Sequence, residues 1–317
     1  MRRFARLPVI AASLALAACG GNGAAGIAIP PQQHGFAVFP ATKATPIPLR
    51  VRQKAFEAIA TLYARLDQKN PVSDAKAILK LVKTMPVFAT SGSDAPATVW
   101  AVFTDGRSLL ILNDEIPEPS SSSSPTAHAA APAETRPAAG IAPRPMDFSQ
   151  PGGDADEITP GSAIELVAEE RAFPNSRNIQ NISRAMSDVG ITATAADLTV
   201  DHAIAMGRVT IGLLYDDSHG GIGRDRSGAP VYELATDSAP TPRLELKYAA
   251  ELNAGRVDYV MDTHSEIDGK KHRMVAGYAI TTSFAQHYWH FASNSLAWIS
   301  ACHSAQNDPA VQAFRRA

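Results

Sequence analysis

The stretch from Pro117 to Pro160 does most to limit what this chain can fold into. It opens with five consecutive serines, Ser120–Ser124, between prolines, and runs on through Ala-Pro-rich sequence. Such a segment buries too little apolar area to offset the entropy lost on ordering. It is expected to be a disordered linker of low complexity over 117–160, separating a small unit at 49–116 from a larger one at 161–317. With 317 residues, 45% of them hydrophobic, one medium and one small folded unit is the natural count.

The amino terminus sets a second boundary. Arg2, Arg3 and Arg6 precede an apolar run from Leu7 to Ala18, the layout of a secretory signal and too short to span a bilayer. Leu16-Ala17-Ala18-Cys19, followed by Gly20 and Gly21, resembles the lipobox of bacterial lipoproteins. The resemblance implies a signal peptide at 1–18 and a diacylglyceryl group on Cys19. It also implies a location in the cell envelope, in the outer membrane or facing the periplasm. The Gly-, Ala- and Pro-rich residues 19–48 then read as a tether, and the membrane is met through the lipid on Cys19. Removing residues 1–18 takes the formal net charge from −2 to −5, which argues against a nucleic-acid partner.

The chain has two cysteines, Cys19 and Cys302. If a lipid occupies Cys19, Cys302 has no disulfide partner within the chain, and an odd thiol in an exported protein points to reactivity. The other reading of Cys302 is a small buried hydrophobe, because Trp298-Ile299-Ser300-Ala301 before it is core-like.

Hydrophobic periodicity gives the elements. Phe56, Ile59, Tyr63 and Leu66 predict a helix over 50–67, and Ala75–Val82, with Asp74 in its first turn, a second. Asp105-Gly106 between Val99–Phe103 and Leu109–Leu112 predicts a hairpin. In the larger unit, strands are expected at 164–167, 191–194, 209–215, 257–261 and 296–300. Helices are expected at 178–189, 199–206 and 280–291. Alternation of this kind argues an α/β fold with a mostly parallel sheet and flanking helices, whose sites form beyond the carboxyl ends of strands.

Two strand ends carry chemistry. The run at 209–215 leads into Asp216-Asp217-Ser218-His219-Gly220-Gly221, and the run at 296–300 into Ala301-Cys302-His303-Ser304. A thiol attacks as thiolate, and a nearby histidine can take its proton. Backbone N–H groups at Gly220 and Cys302 are placed to face a developing oxyanion.

These two runs resemble the caspase-like cysteine peptidases, a group that includes metacaspases, gingipains and CHAT-domain proteins. Ser218-His219-Gly220-Gly221 is similar to the metacaspase Ser-Gly-His-Gly segment, and Ala301-Cys302-His303-Ser304 to its Ser-Cys-His-Ser run. The resemblance covers about residues 163–317 and implies a caspase-like α/β sheet. It implies Cys302 as nucleophile, His219 as general base, Gly220 as an oxyanion donor, and a peptide or protein substrate. Ser300 stands where metacaspases carry an Asp for a basic P1 side chain, so no Arg/Lys preference is implied. The sequence runs 15 residues past Cys302, so a C-terminally incomplete domain is expected.

His264, after the apolar run 257–261, is the alternative base. His303 flanks the cysteine, and His272, His287 and His290 read as polar-tipped packing residues. Asp216, Asp217, His219 and His264 are the set a metal would take, but no HExxH run or paired-cysteine spacing supports it. No metal and no cofactor is assigned. The glycines Gly220, Gly221 and Gly223 do not form a phosphate loop, since no GxxxxGK[ST] run is present. The reading is thus a lipid-anchored thiol endopeptidase, or alternatively a non-catalytic binding or assembly lipoprotein on a degenerate caspase-like fold.

Overall fold

The computed structural model describes residues 45–95, 97–113, 161–173, 176–188, 190–265 and 272–301, all within the compact unit Phe36–Ala317. The stretch expected to be a signal peptide, most of the expected tether, the expected linker and the residues from Cys302 onward lie outside the described residues.

The first helix, α1 (Leu49–Tyr63), buries Phe56, Ile59 and Tyr63 on one stripe, with Arg52 beside them. It stops four residues before the expected end. Gln68 there takes a φ of 58°, and its side-chain amide pairs with both backbone groups of His272 at 3.0 and 3.1 Å. Helix α2 (Pro71–Val82) starts earlier than expected because Asn70 caps it, accepting from the Ser73 N–H at 2.9 Å, with Pro71 in the first turn. Strands β1 (Phe88–Ala95), β2 (Thr98–Phe103) and β3 (Ser108–Leu112) form an antiparallel meander. Its second turn holds Gly106 at a φ of 84°, as Asp-Gly predicts.

Strand β4 (Ala163–Ala168), helix α3 (Asn178–Asp188), strand β5 (Thr194–Asp197), helix α4 (Val200–Met206) and strand β6 (Thr210–Asp217) follow in the expected alternation. β5 begins where the sequence placed its end. Next come β7 (Gly220–Arg224), β8 (Pro230–Ala235), α5 (Pro242–Lys247), α6 (Ala249–Ala254), β9 (Val257–Ser265), β10 (His272–Thr281), α7 (Thr282–Tyr288) and β11 (His290–Ile299). The helix expected at 280–291 is only α7. Ile280 and Thr281 still belong to β10, paired with Val257 of β9 and Glu233 of β8, and the Thr281 hydroxyl caps α7 at the Phe284 N–H.

Among the described residues there are two sheets. One is wholly parallel, in the order β11-β6-β4-β5. The other has seven strands in the order β1-β2-β3-β9-β10-β8-β7, antiparallel except at β3–β9. The fold is therefore α/β with a parallel sheet and flanking helices. The parallel β3–β9 pairing (Leu110 opposite Val260) means that the segment read as a separate small unit shares one sheet with the 161–317 segment.

β9 divides two apolar clusters by simple alternation. Val257, Tyr259 and Met261 join the main core with Phe56, Phe103 and Tyr278, while Val260 packs with Leu110, Leu112, Ala235 and Ala279. By the same alternation Asp258, Asp262 and His264 share the Val260 face. Over the main-core face lies a buried charge network. Arg52 is ion-paired to Asp105 and Glu245, Arg107 also pairs with Glu245, and the Tyr259 and Tyr278 hydroxyls donate to that carboxylate.

Candidate functional site at the carboxyl end of the parallel sheet

Three neighbouring parallel strands end together. β4 runs into Glu169, β6 into Ser218 and His219, and β11 into Ser300 and Ala301. The Glu169 N–H donates to the Asp217 carbonyl at 3.0 Å and the Ser300 N–H to the Asp216 carbonyl at 2.7 Å. The ladder thus continues past both flanking strands and fixes where each loop departs.

His219 is 4% exposed. Its N–H donates to Glu169 Oε2 at 3.1 Å, and its carbonyl accepts from the Ala235 N–H at 2.9 Å. The Phe173 ring covers the imidazole, with centroids 4.7 Å apart and planes inclined by 32°. Nε2 is buried and has no hydrogen-bond partner among the described residues. The backbone is thus held on both sides while Nε2 is left without a partner among the described residues.

Gly220 faces Leu234 across the β7–β8 pair. Because Ala235 N–H bonds the His219 carbonyl, this is a non-hydrogen-bonded pair, so the Gly220 N–H points away from β8. A side chain here would strike the Tyr232 hydroxyl and come within 3.0 Å of Ala301 Cβ. Ala301, the residue before Cys302, therefore lies against the residue after His219.

The two aspartates before His219 have other duties. Asp216 Oδ2 accepts from the Ser218 hydroxyl at 2.9 Å. Burial pushes its carboxyl up to about 8; the Ser218 bond opposes this, and the charges of Asp217 and Glu169 add to it. Asp217 accepts from Asn178 Nδ2 at 2.9 Å and Ser176 Oγ at 3.3 Å, which ties the loop before α3 to the end of β6.

A second cluster adjoins the first. From β9, His264 Nε2 lies 2.7 Å from Asp262 Oδ1 and 3.6 Å from Glu169 Oε1. Burial, and then the Asp262 carboxylate, raise Glu169 to about 7. Burial works against a charged His264, yet its bonds to Asp262 and Glu169 and their charges outweigh it and raise the imidazole to about 9. On the far side of Phe173 from His219, an open cleft of about 470 Å³ runs between α3 and the ends of β4 and β5. Its lining includes Phe173, Glu170, Arg184 and Asp197, so Phe173 is shared with His219.

Of the residues the sequence singled out, His219 and Gly220 sit side by side, and His264 belongs to the neighbouring cluster. Of the set Asp216, Asp217, His219 and His264, His264 alone lies, among the described residues, in a group able to converge on a cation, with Glu169 and Asp262. Cys302, the N–H expected to face an oxyanion, and His303 lie outside the described residues, as does Cys19, the expected lipid site. His272 begins β10 opposite Ser265, His287 lies in α7 and His290 begins β11. Sequence reasoning missed Glu169 and Asp262. Glu169 carried the same signal as His219, a polar residue directly after a buried strand. Asp262 was hidden because β9 was expected to stop at Met261. Compared with known proteins, the chain matches no family model, no curated protein and no solved structure.

Proposed function

We propose that residues 161–317 form a caspase-like thiol endopeptidase domain, with Cys302 as nucleophile and His219 as base, in a protein held to the cell envelope by a lipid on Cys19. The observation that carries this is the contact of Ala301 with Gly220, which brings the approach to Cys302 beside the His219–Gly220 step. It agrees with His-Gly after one core strand and Ala-Cys after the neighbouring parallel strand. His219 is the better base on geometry, since its Nε2 has no partner among the described residues, whereas His264 Nε2 is engaged by Asp262 at 2.7 Å.

In this reading the Cys302 thiol passes its proton to His219 Nε2, and the sulfur attacks the scissile carbonyl carbon. The Gly220 N–H and the Cys302 N–H stabilise the oxyanion. The C–N bond breaks, and the imidazolium returns the proton to the departing amine. Water then attacks the thioester, yielding the carboxylic acid and the free thiol. The cleft beside Phe173 would hold the peptide.

A second reading has support in two observations. His219 is 4% exposed and the space beside Gly220 is filled by Tyr232, as suits a binding module that does no chemistry. Hydrolysis of a peptide library by the purified protein separates the two. Cleavage lost in Cys302→Ala and reduced about 10²–10⁴-fold in His219→Ala is expected. Cleavage that survives Cys302→Ala excludes the dyad. The anchor is tested separately by metabolic palmitate labelling, which Cys19→Ala should abolish.

A further inference from the structure

We propose that Glu169, Asp262 and His264 bind a divalent cation of the zinc class, at a site separate from the proposed dyad. The three side chains come from two elements far apart in sequence, the end of β4 and the outer part of β9. Each offers one ligand atom, and the three atoms lie within 4.8 Å of one another. Ligands of a single zinc ion, bound at roughly 2.0–2.2 Å, lie within about 4 Å of each other. His264 Nε2 lies 2.7 Å from Asp262 Oδ1 and 3.6 Å from Glu169 Oε1, and the cation would take the place of the proton Nε2 shares with these carboxylates, releasing it to solvent. Small side-chain rotations complete the convergence.

The chemistry of the donors fits. One imidazole nitrogen and two carboxylate oxygens form a borderline set suited to Zn²⁺ or Mn²⁺, and three protein ligands leave a position open. All three residues are buried. Asp262, 2% exposed, directs its carboxyl into the cluster, yet its Oδ2 has no hydrogen-bond partner among the described residues. A buried carboxylate oxygen without a donor has given up its hydration for nothing, a loss that a cation would make good. The outer support is also present. Glu169 Oε2 is held by the His219 N–H at 3.1 Å, leaving Oε1 turned toward His264. The cation would thus brace the loop that carries His219 through Glu169, without touching the reacting atoms.

The test uses the full-length protein, purified in detergent and stripped with a chelator. Equilibrium dialysis against Zn²⁺ should give about one bound equivalent. Titration with Co²⁺ should give visible d–d bands of an oxygen- and nitrogen-ligated ion without a sulfur charge-transfer band. Asp262→Asn and His264→Gln should each weaken binding at least about tenfold, with an unchanged circular dichroism spectrum. Cys302→Ser should bind as the wild type does. Absence of binding by the wild type overturns the proposal. So does wild-type affinity in folded Asp262→Asn, or a sulfur charge-transfer band that disappears in Cys302→Ser. If both ligand variants fail to fold, the wild-type cobalt spectrum and the Cys302→Ser comparison still decide.

Discussion

At Gly220 the absence of a single methyl group determines the local geometry. The Cβ position is enclosed by Tyr232 and Ala301, and φ there is ordinary, so the requirement is for space rather than for a left-handed backbone. Gly220→Ala should destabilise the protein by about 1–3 kcal/mol through overpacking. It should also push Ala301 away from His219, so peptide cleavage should fall further than the lost stability explains. Thermal melts and kinetics on the same preparation check this. Unchanged melting with full activity would show that the contact is slack. His219 differs in kind: its backbone bonds do not involve the imidazole, so His219→Ala should still fold, losing the packing under Phe173 and, on the proposed reading, the cleavage.

At the scale of elements, capping explains why some boundaries moved. Asn70→Ala removes the acceptor for the Ser73 N–H and should cost about 1 kcal/mol, read from the urea midpoint. No change would mean that Pro71 and packing alone start α2. Helix α1, the β2–β3 hairpin, β4, α4 and β6 were legible because each combines a clear period with a turn or cap. Thr199, for example, accepts from the His202 N–H and starts α4 at the expected point. β7 was illegible because Gly220, Gly221 and Gly223 carry no pattern. Their missing side chains are filled from elsewhere, by Tyr232, by Leu112 and by Glu233. β10 was illegible for the opposite reason: Tyr278, Ala279 and Ile280 are all buried, so the alternation that marks a half-buried strand is lost. The site was half legible. His219, Gly220 and Glu169 each follow a strand visible in the sequence, whereas Asp262 gains meaning only once β9 is brought against the end of β4.

At the scale of the molecule, buried charge joins the segments on either side of residues 117–160. Arg52 of α1 reaches Asp105 and Glu245, with its side chain fully buried. Arg52→Met leaves Asp105 without its cation and Glu245 with Arg107 alone, and should cost about 3–5 kcal/mol, measured by chemical denaturation. A loss near zero would show that the network is replaceable by apolar packing. A second buried pair gives a pH dependence. Glu233 is raised well above its usual value by burial and by Asp258. Asp258 is raised to about 7, chiefly by burial, against opposing bonds and charges from Ser108, Arg226 and Arg107. Both carboxyls hold protons in the folded state that the unfolded chain releases at ordinary carboxylate pH. Their contribution to stability is therefore complete below about pH 4 and is lost as pH rises through about 7 and beyond. Between about pH 5 and about pH 8 the urea midpoint should fall, and Glu233→Gln should flatten that fall. Equal slopes in wild type and variant would remove Glu233 from the linkage. The most direct measurement of the proposed chemistry is labelling of Cys302 by a thiol-reactive peptide probe, located by mass spectrometry. Fast labelling of the native wild type, and slow labelling of both His219→Ala and the denatured wild type, is the expected result. Equal rates in all three would contradict an activated thiol.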